Sequence, residues 1–140
     1  MKVKITLLRP ESKIPAYGRA GDAGLDLYSC EDCVVAPGER HVFKLGFAME
    51  IPPGTVALIW DRSGMASNHG IHSHGGVIDS NFRGEVCAIL HNTSQAPCHF
   101  KKGDRIAQLI IQKFEQVDFE QVDKLSASER GDKGWLSSGR

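Results

Sequence analysis

The feature that most limits what this chain can fold into is the spacing of its apolar runs. Stretches rich in β-branched and aliphatic residues follow one another: "VKITLL" (3–8), "LDLYSC" (25–30), "CVVA" (33–36), "HVFKLGFAMEI" (41–51), "TVALIW" (55–60), "EVCAIL" (85–90), "CHF" (98–100) and "RIAQLII" (105–111). Breakers such as "APGE", "IPPG" and "KKGD" divide them at intervals too small for crossover helices. That rhythm predicts an all-β sandwich or barrel. Only "SGMASNHG" (63–70) and "FEQVDKLSAS" (119–128) suit short helical turns, and neither carries a sustained apolar stripe at helical spacing.

At 140 residues the chain has the usual size of one domain and can bury a core without disulfide staples. Its 17 basic and 17 acidic side chains cancel. A phosphate-backbone binder or a membrane-surface protein needs a basic excess, so neither stable nucleic-acid binding nor membrane association is expected, and any anion must be met locally. The start, "MKVKITLLRP", is too short and too broken by Thr6, Arg9 and Pro10 for a signal peptide or a membrane span. The expectation is a soluble, cytoplasmic or otherwise intracellular protein whose four cysteines, Cys30, Cys33, Cys87 and Cys98, stay reduced. The last residues, "ERGDKGWLSSGR", show no alternation that would bury them, and predict a mobile tail.

Chemistry concentrates in the polar loops between the apolar runs. "AGDAGLDL" (20–27), "DRSGMA" (61–66), "GVIDSNFRGEV" (76–86), "KKGDRIAQLI" (101–110) and the tail each set glycine beside Asp, Ser, Arg or Gln. Such loops bring backbone N–H groups and charged donors close to phosphate oxygens. Asp79 stands where an apolar run breaks into turn formers, a junction both positioned and reachable.

Together, "AGLDL", "RSGMA", "GVIDSNFRG", "KGDRIAQL" and "RGDKGWLSSG" resemble, in order and spacing, the five motifs of the trimeric dUTPase family. The resemblance runs from about residue 20 to the C-terminus. It implies a distorted jelly-roll β-sandwich of the β-clip type over residues 1–128, with residues 129–140 as a C-terminal lid. It further implies hydrolysis of dUTP to dUMP and pyrophosphate, which keeps uracil out of DNA and supplies dUMP for dTMP synthesis. Mg²⁺ on the triphosphate and a homotrimer with shared active sites belong to the same implication.

By that resemblance Asp79 is the general base that activates water for attack at the α-phosphorus. Asp26 holds the hydration shell of Mg²⁺ through water, which suits an ion that keeps several of its waters. Arg62, Ser63, Gly64, Gln108, Arg130, Ser137 and Ser138 bind phosphate. Gly76, Val77, Ile78, Phe82, Cys87, Trp135 and Leu136 form the base and sugar pocket, where main-chain groups meet the uracil edge and leave no room for a 5-methyl group. Rejecting cytosine leaves buried polar groups unpaired, which discriminates strongly.

Several positions depart from the family pattern. Asp61 adds a negative charge beside Arg62, Asn81 replaces the hairpin's second acid, Phe82 stands for the usual Tyr, Trp135 for a tail Phe, and Lys133 and Leu136 for glycines. Asp61 is compatible with a triphosphate only if its side chain faces away. "CEDC" (30–33) has the spacing of half a zinc site, but no second pair matches it. His69, His72 and His74 read as decoration of the loop before the hairpin, and Asp22 and Glu85 as surface or turn acids. Two other functions stay open: a dCTP deaminase relative on the same scaffold, and a non-catalytic dUTP-binding sensor.

Overall fold

Period-two alternation becomes sheet nearly everywhere the sequence shows it. The computed structural model describes residues 1–129 and residue 131. Among them are β1 (Lys4–Leu7), β2 (Ala16–Tyr17), β3 (Leu25–Tyr28), β4 (Cys33–Val35), β5 (Arg40–Lys44), β6 (Phe47–Glu50), β7 (Thr55–Trp60), α1 (Ser63–His69), β8 (Ile71–His74), β9 (Val77–Ile78), β10 (Cys87–Asn92), β11 (Cys98–Phe100) and β12 (Arg105–Lys113). They form sheets ordered β2-β3-β12-β7-β9, β5-β10-β8, β1-β6 and β11-β4. The pairings are antiparallel. None of these sheets closes into a barrel, so the expected sandwich stands.

One core lies between the sheets. Along β7 the buried residues Thr55, Ala57 and Ile59 alternate with Val56, Leu58 and Trp60, which point away. β10 does the same with Ala88, Leu90 and Asn92. Phe43 and Phe100 meet edge to face at 4.8 Å inside, and Leu27, Leu45, Phe47, Ile106 and Leu109 complete a centre sealed from solvent. Burying each such side chain is worth about 1.5–3 kcal/mol relative to leaving it exposed. Asn92 is the polar member of that interior. Its Nδ2 donates to Val35 O (2.9 Å) and Ala96 O (2.8 Å), and its Oδ1 accepts from Ser94 N (3.0 Å) and Ser94 Oγ (2.8 Å). Every hydrogen-bonding capacity of the amide is thereby used.

The structure corrects three local expectations. The run 41–51 is two strands, because Gly46 takes φ 72 and turns the chain between β5 and β6. The histidine stretch is strand β8, paired with β10 through Ile71↔Asn92, His72↔His91 and His74↔Ile89, and not a loop. Residues 119–128 form no helix; Phe119 is 96% exposed and Leu125 82%, so no packed face holds a helix there. The four cysteines are free, as expected. Glu85, read as a surface or turn acid, forms a two-pronged ion pair with Arg9 (Nη1–Oε1 2.7 Å, Nη2–Oε2 2.9 Å) and accepts Gly46 N at 3.0 Å. That pair fastens the N-terminal segment to the base of the 76–86 hairpin.

Candidate active site

At one end of the five-stranded sheet, Asp26 of β3 and Gln108 of β12 are register partners, and Gln108 also pairs with Trp60 of β7. The strands open there onto a cavity of about 690 Å³ lined by Gly18, Arg19, Asp22, Ala23, Gly24, Asp26, Arg62, Ser63, Gly64, Arg105, Gln108 and Ile110. Its size suits a small-molecule ligand. Three arginines against two aspartates make a locally cationic wall in a chain of zero net charge.

The wall is prearranged by side-chain bonds. Asp26 accepts Arg62 Nε on Oδ1 (2.9 Å) and Arg105 Nη1 on Oδ2 (3.2 Å), while Arg62 Nη1 donates to Arg105 O (3.0 Å). One carboxylate therefore aligns two guanidiniums, whose remaining N–H groups are free to meet an anion. Gln108 Nε2 donates to Asp61 O at 2.7 Å, and its amide oxygen lies so close to Gly24 that a Cβ there would collide with it. A larger residue at position 24 would displace the Gln108 amide. Arg62 is the N-cap of α1 but makes no side-chain capping bond to the helix, and no acid occupies the first turn. The first N–H groups of Ser63 and Gly64 are thus left without a side-chain partner beside the cavity.

Asp61 turns its carboxylate away from that wall. Oδ1 accepts Ser73 N (2.6 Å) and Ser73 Oγ (2.7 Å), and Oδ2 meets His72 Nδ1 (2.7 Å). Burial alone would raise its pKa, but the bonds from Ser73 and His72 prevail and hold it below the ordinary 3.8.

The hairpin that carries Asp79 lies elsewhere. β9 pairs with β7 through Leu58↔Val77 and Ala57↔Ile78, and Gly76 O accepts Ile59 N at 2.8 Å. A Cβ on Gly76 would press on Ile59 O, so glycine is required where these backbones meet. Continuing this register sets Asp79 level with Val56, at the start of β7, whereas Arg62 follows its far end in extended conformation. Six residues of extended chain span about 20 Å. Asp79 accepts Phe82 N through its backbone carbonyl at 3.1 Å, closing the turn. Phe82 is 43% exposed and Val77 68%. Cys87 begins β10 with its thiol pKa pushed up, chiefly by burial.

Within one chain, then, Asp26, Arg62, Ser63, Gly64 and Gln108 come together. Asp79, Gly76, Val77, Ile78, Phe82 and Cys87 do not line that cavity. Arg130, Trp135, Leu136, Ser137 and Ser138, with the departure Lys133, lie outside the described residues. Sequence reasoning overlooked Arg105 and Arg19, which line the cavity; Asp22, expected as a surface or turn acid, is exposed, accepts Arg19 N at 2.8 Å, and lines the cavity as well. Arg105 sits inside "KGDRIAQL", but its aim depends on a register shift between Arg105 and Ala107, a bulge that re-aims a side chain. The shift has no letter of its own.

The family model described as dUTPase matches residues 10–139. The chain belongs to the dUTPase family. It is 43% identical, over 99% of its own length and 95% of the relative's, to the deoxyuridine 5'-triphosphate nucleotidohydrolase of Corynebacterium glutamicum. The protein of that name from Nautilia profundicola is 43% identical across the whole of both chains. Among solved structures, the dUTPase of Staphylococcus bacteriophage 80alpha with dUpNHpp superposes with a TM-score of 0.88 at 29% identity, covering 99% of each chain. The jelly-roll expectation holds, and the dUTPase motifs "AGLDL", "RSGMA" and "KGDRIAQL" converge on one cavity.

Proposed function

We infer that this dUTPase hydrolyses dUTP to dUMP and pyrophosphate in a site built by more than one copy of the chain. The observation that carries this reading is the separation along β7. The cationic cavity and the Asp79 hairpin belong to one reaction yet stand at opposite ends of one strand, so the cavity of one copy takes its hairpin from another. The outward face between them supports the assembly: Trp60 is 56% exposed and Val77 68%, with Leu58 and Ile110 half-buried beside them. Such a face is a ready partner surface. Three copies, the number the family resemblance implies, complete three such sites.

In that site Arg62, Arg105, Gln108 and the Ser63 and Gly64 N–H groups hold the triphosphate, each charge-assisted bond being worth about 1.5–3 kcal/mol. The Gly76–Ile78 backbone of the neighbouring copy grips uracil, and Phe82 packs on the deoxyribose. Asp79 accepts a proton from a water molecule as its oxygen attacks the α-phosphorus, and the bond to the bridging oxygen breaks, releasing pyrophosphate. A carboxylate is a weak base in water, so positioning supplies much of its effect. The family resemblance gives Arg130 and Trp135, which lie outside the described residues, a part in binding the nucleotide.

The donor set fits Mg²⁺ bound mainly by substrate. Among the described residues no three His, Cys, Asp or Glu side chains converge into a metal cage, and both Asp26 oxygens are already engaged by guanidiniums. An ion that keeps phosphate oxygens and its own waters suits such a site, with Asp26 accepting from those waters. Bound there, Mg²⁺ neutralises triphosphate charge and the charge developing on pyrophosphate. No helix of the described residues is long and apolar enough to cross a membrane.

Pyrophosphate release from a panel of deoxynucleoside triphosphates, with and without Mg²⁺, tests the reading. Release from dUTP alone and only with Mg²⁺ supports it. Ammonia from dCTP, or dUTP binding without turnover, overturns it in favour of a deaminase or a sensor.

A further inference from the structure

Asp61 links three parts of the phosphate subsite without facing the cavity. Its carboxylate takes two short bonds from Ser73 and meets His72, both on β8. Its backbone carbonyl takes the Gln108 amide. Its peptide leads directly into Arg62, whose extended backbone (φ −85, ψ 132) launches the guanidinium toward Asp26. β8 in turn runs through Gly75 and Gly76 into the hairpin that carries Asp79. A solvated surface acid would not be held by three contacts of 2.6–2.7 Å with its side chain only 27% exposed.

We propose that Asp61 is a positioning residue for triphosphate hydrolysis, its carboxylate pinning the β7 end to β8 so that the carbonyl holding Gln108 keeps one geometry. The proposal rests on the dUTP diphosphatase reading above. The Gln108 amide fills the space that a side chain at position 24 would occupy, so the Asp61 carbonyl that accepts its Nε2 is the contact that fixes where the amide points. Without the side-chain anchor the Asp61 peptide turns about its extended bonds and Gln108 loses its aim, whereas Arg62 keeps its own bonds to Asp26 and to Arg105 O. Misplacing contact groups by about 1 Å costs up to about a hundredfold in rate. The negative charge that looked unfavourable beside a phosphate-binding arginine is directed into β8, where the Ser73 N–H and hydroxyl neutralise it.

Steady-state pyrophosphate release from dUTP, with thermal melting of each variant, tests this. Asp61→Ala is expected to lower kcat/KM about tenfold or more at a temperature well below its melting point. Asp61→Asn, which keeps the acceptor oxygen for Ser73, is expected to stay within about threefold of the parent. On a Gln108→Ala background, adding Asp61→Ala is expected to cost threefold or less, because the group it positions is already gone. Should Asp61→Ala fail to fold, His72→Ala combined with Ser73→Ala removes the two side-chain contacts of the anchor and leaves the Ser73 N–H; it is expected to cost less than Asp61→Ala would and to show the same reduced effect on the Gln108→Ala background. An Asp61→Ala enzyme within twofold of the parent, an Asp61→Asn loss as large as the alanine loss, or a full tenfold loss persisting without Gln108 overturns the proposal. A parent protein that releases no pyrophosphate from dUTP overturns the functional reading first and the proposal with it, an outcome distinct from an active parent indifferent to Asp61.

Discussion

Asp26 and Arg62, separated by 36 residues of sequence, meet at 2.9 Å between Oδ1 and Nε, and the same carboxylate holds Arg105 on its other oxygen. The pair is half-buried, with side chains 13% and 27% exposed, so its worth is larger than that of an open surface bridge. Asp26→Asn keeps the shape and removes the charge. kcat/KM is expected to fall at least tenfold, and the Mg²⁺ concentration giving half-maximal rate to rise by about tenfold, because a neutral amide orders the ion's waters less strongly than a carboxylate. Titrating Mg²⁺ against pyrophosphate release measures both.

Separation of Asp79 from Arg62 along β7 predicts complementation between two inactive proteins. On the reading proposed above, Asp79→Asn removes the base, with an expected loss of about 10²–10⁴ in rate for this type of catalysis, while dUTP affinity stays within a few fold. Arg62→Ala removes a phosphate contact at the other end. Refolded together in equal amounts, random trimers restore about one site in four, since each needs an intact cavity from one copy and an intact hairpin from its neighbour. Activity returning to about a quarter of the parent level is the expected reading, and no recovery would assign both residues to a single chain.

Asn92 tests the interior. All four of its hydrogen bonds are internal, so Asn92→Ala takes the side-chain donor from the buried Val35 carbonyl, while Ala96 O keeps Ser94 Oγ, and opens a small void. The expected loss is about 2–3 kcal/mol in urea unfolding, with the parent's kcat retained at low temperature because the residue is remote from the cavity.

Acid lability follows from the carboxylates held below their ordinary values. The pKa of Asp61 falls despite burial, through the bonds from Ser73 and His72; that of Asp32 falls through the Lys102 N–H and Lys101; that of Glu50 falls through Lys4. A group more acidic in the folded chain than in the unfolded one stabilises the fold above its unfolded value, here 3.8 for the aspartates and 4.5 for the glutamate. That stability is lost as pH falls through the folded values. The melting temperature is expected to hold between pH 7 and 5 and to drop below about pH 4, less steeply in Asp61→Asn. Circular dichroism melts across that range measure it.

The sequence carried the strands and the chemistry better than it carried their relation. Alternation in "TVALIW" and "CHF" marked β7 and β11 to the residue, because a half-buried strand leaves a period of two. The helical turn after "RSG" was legible from Gly70, which closes it in a left-handed conformation at φ 62. β8 was missed because histidine and serine carry no apolar alternation; its place is set by pairing with β10, a contact between distant segments. Motif letters pointed to Asp26, Arg62, Gln108 and Asp79 alike, but nothing in them told which would share a cavity. That depended on the register of β7 with β9 and β12, a property of the folded sheet. Asp61 is the sharpest case: its letter suggested repulsion, and only the position of Ser73 reveals where its charge is spent.

A strand with chemistry at both ends is also a ruler. Deleting two residues between Val56 and Trp60 would keep every remaining side chain on its proper face of the sheet, yet would shorten the rod by about 7 Å. On the shared-site reading proposed above, three such rods would then fail to bring each hairpin to the next protomer's cleft. The length of this ribbon is therefore as much an instrument of turnover as any acid or arginine mounted on it, and because Ala57 and Ile59 also belong to the core, a change of length acts on the fold and on the site together.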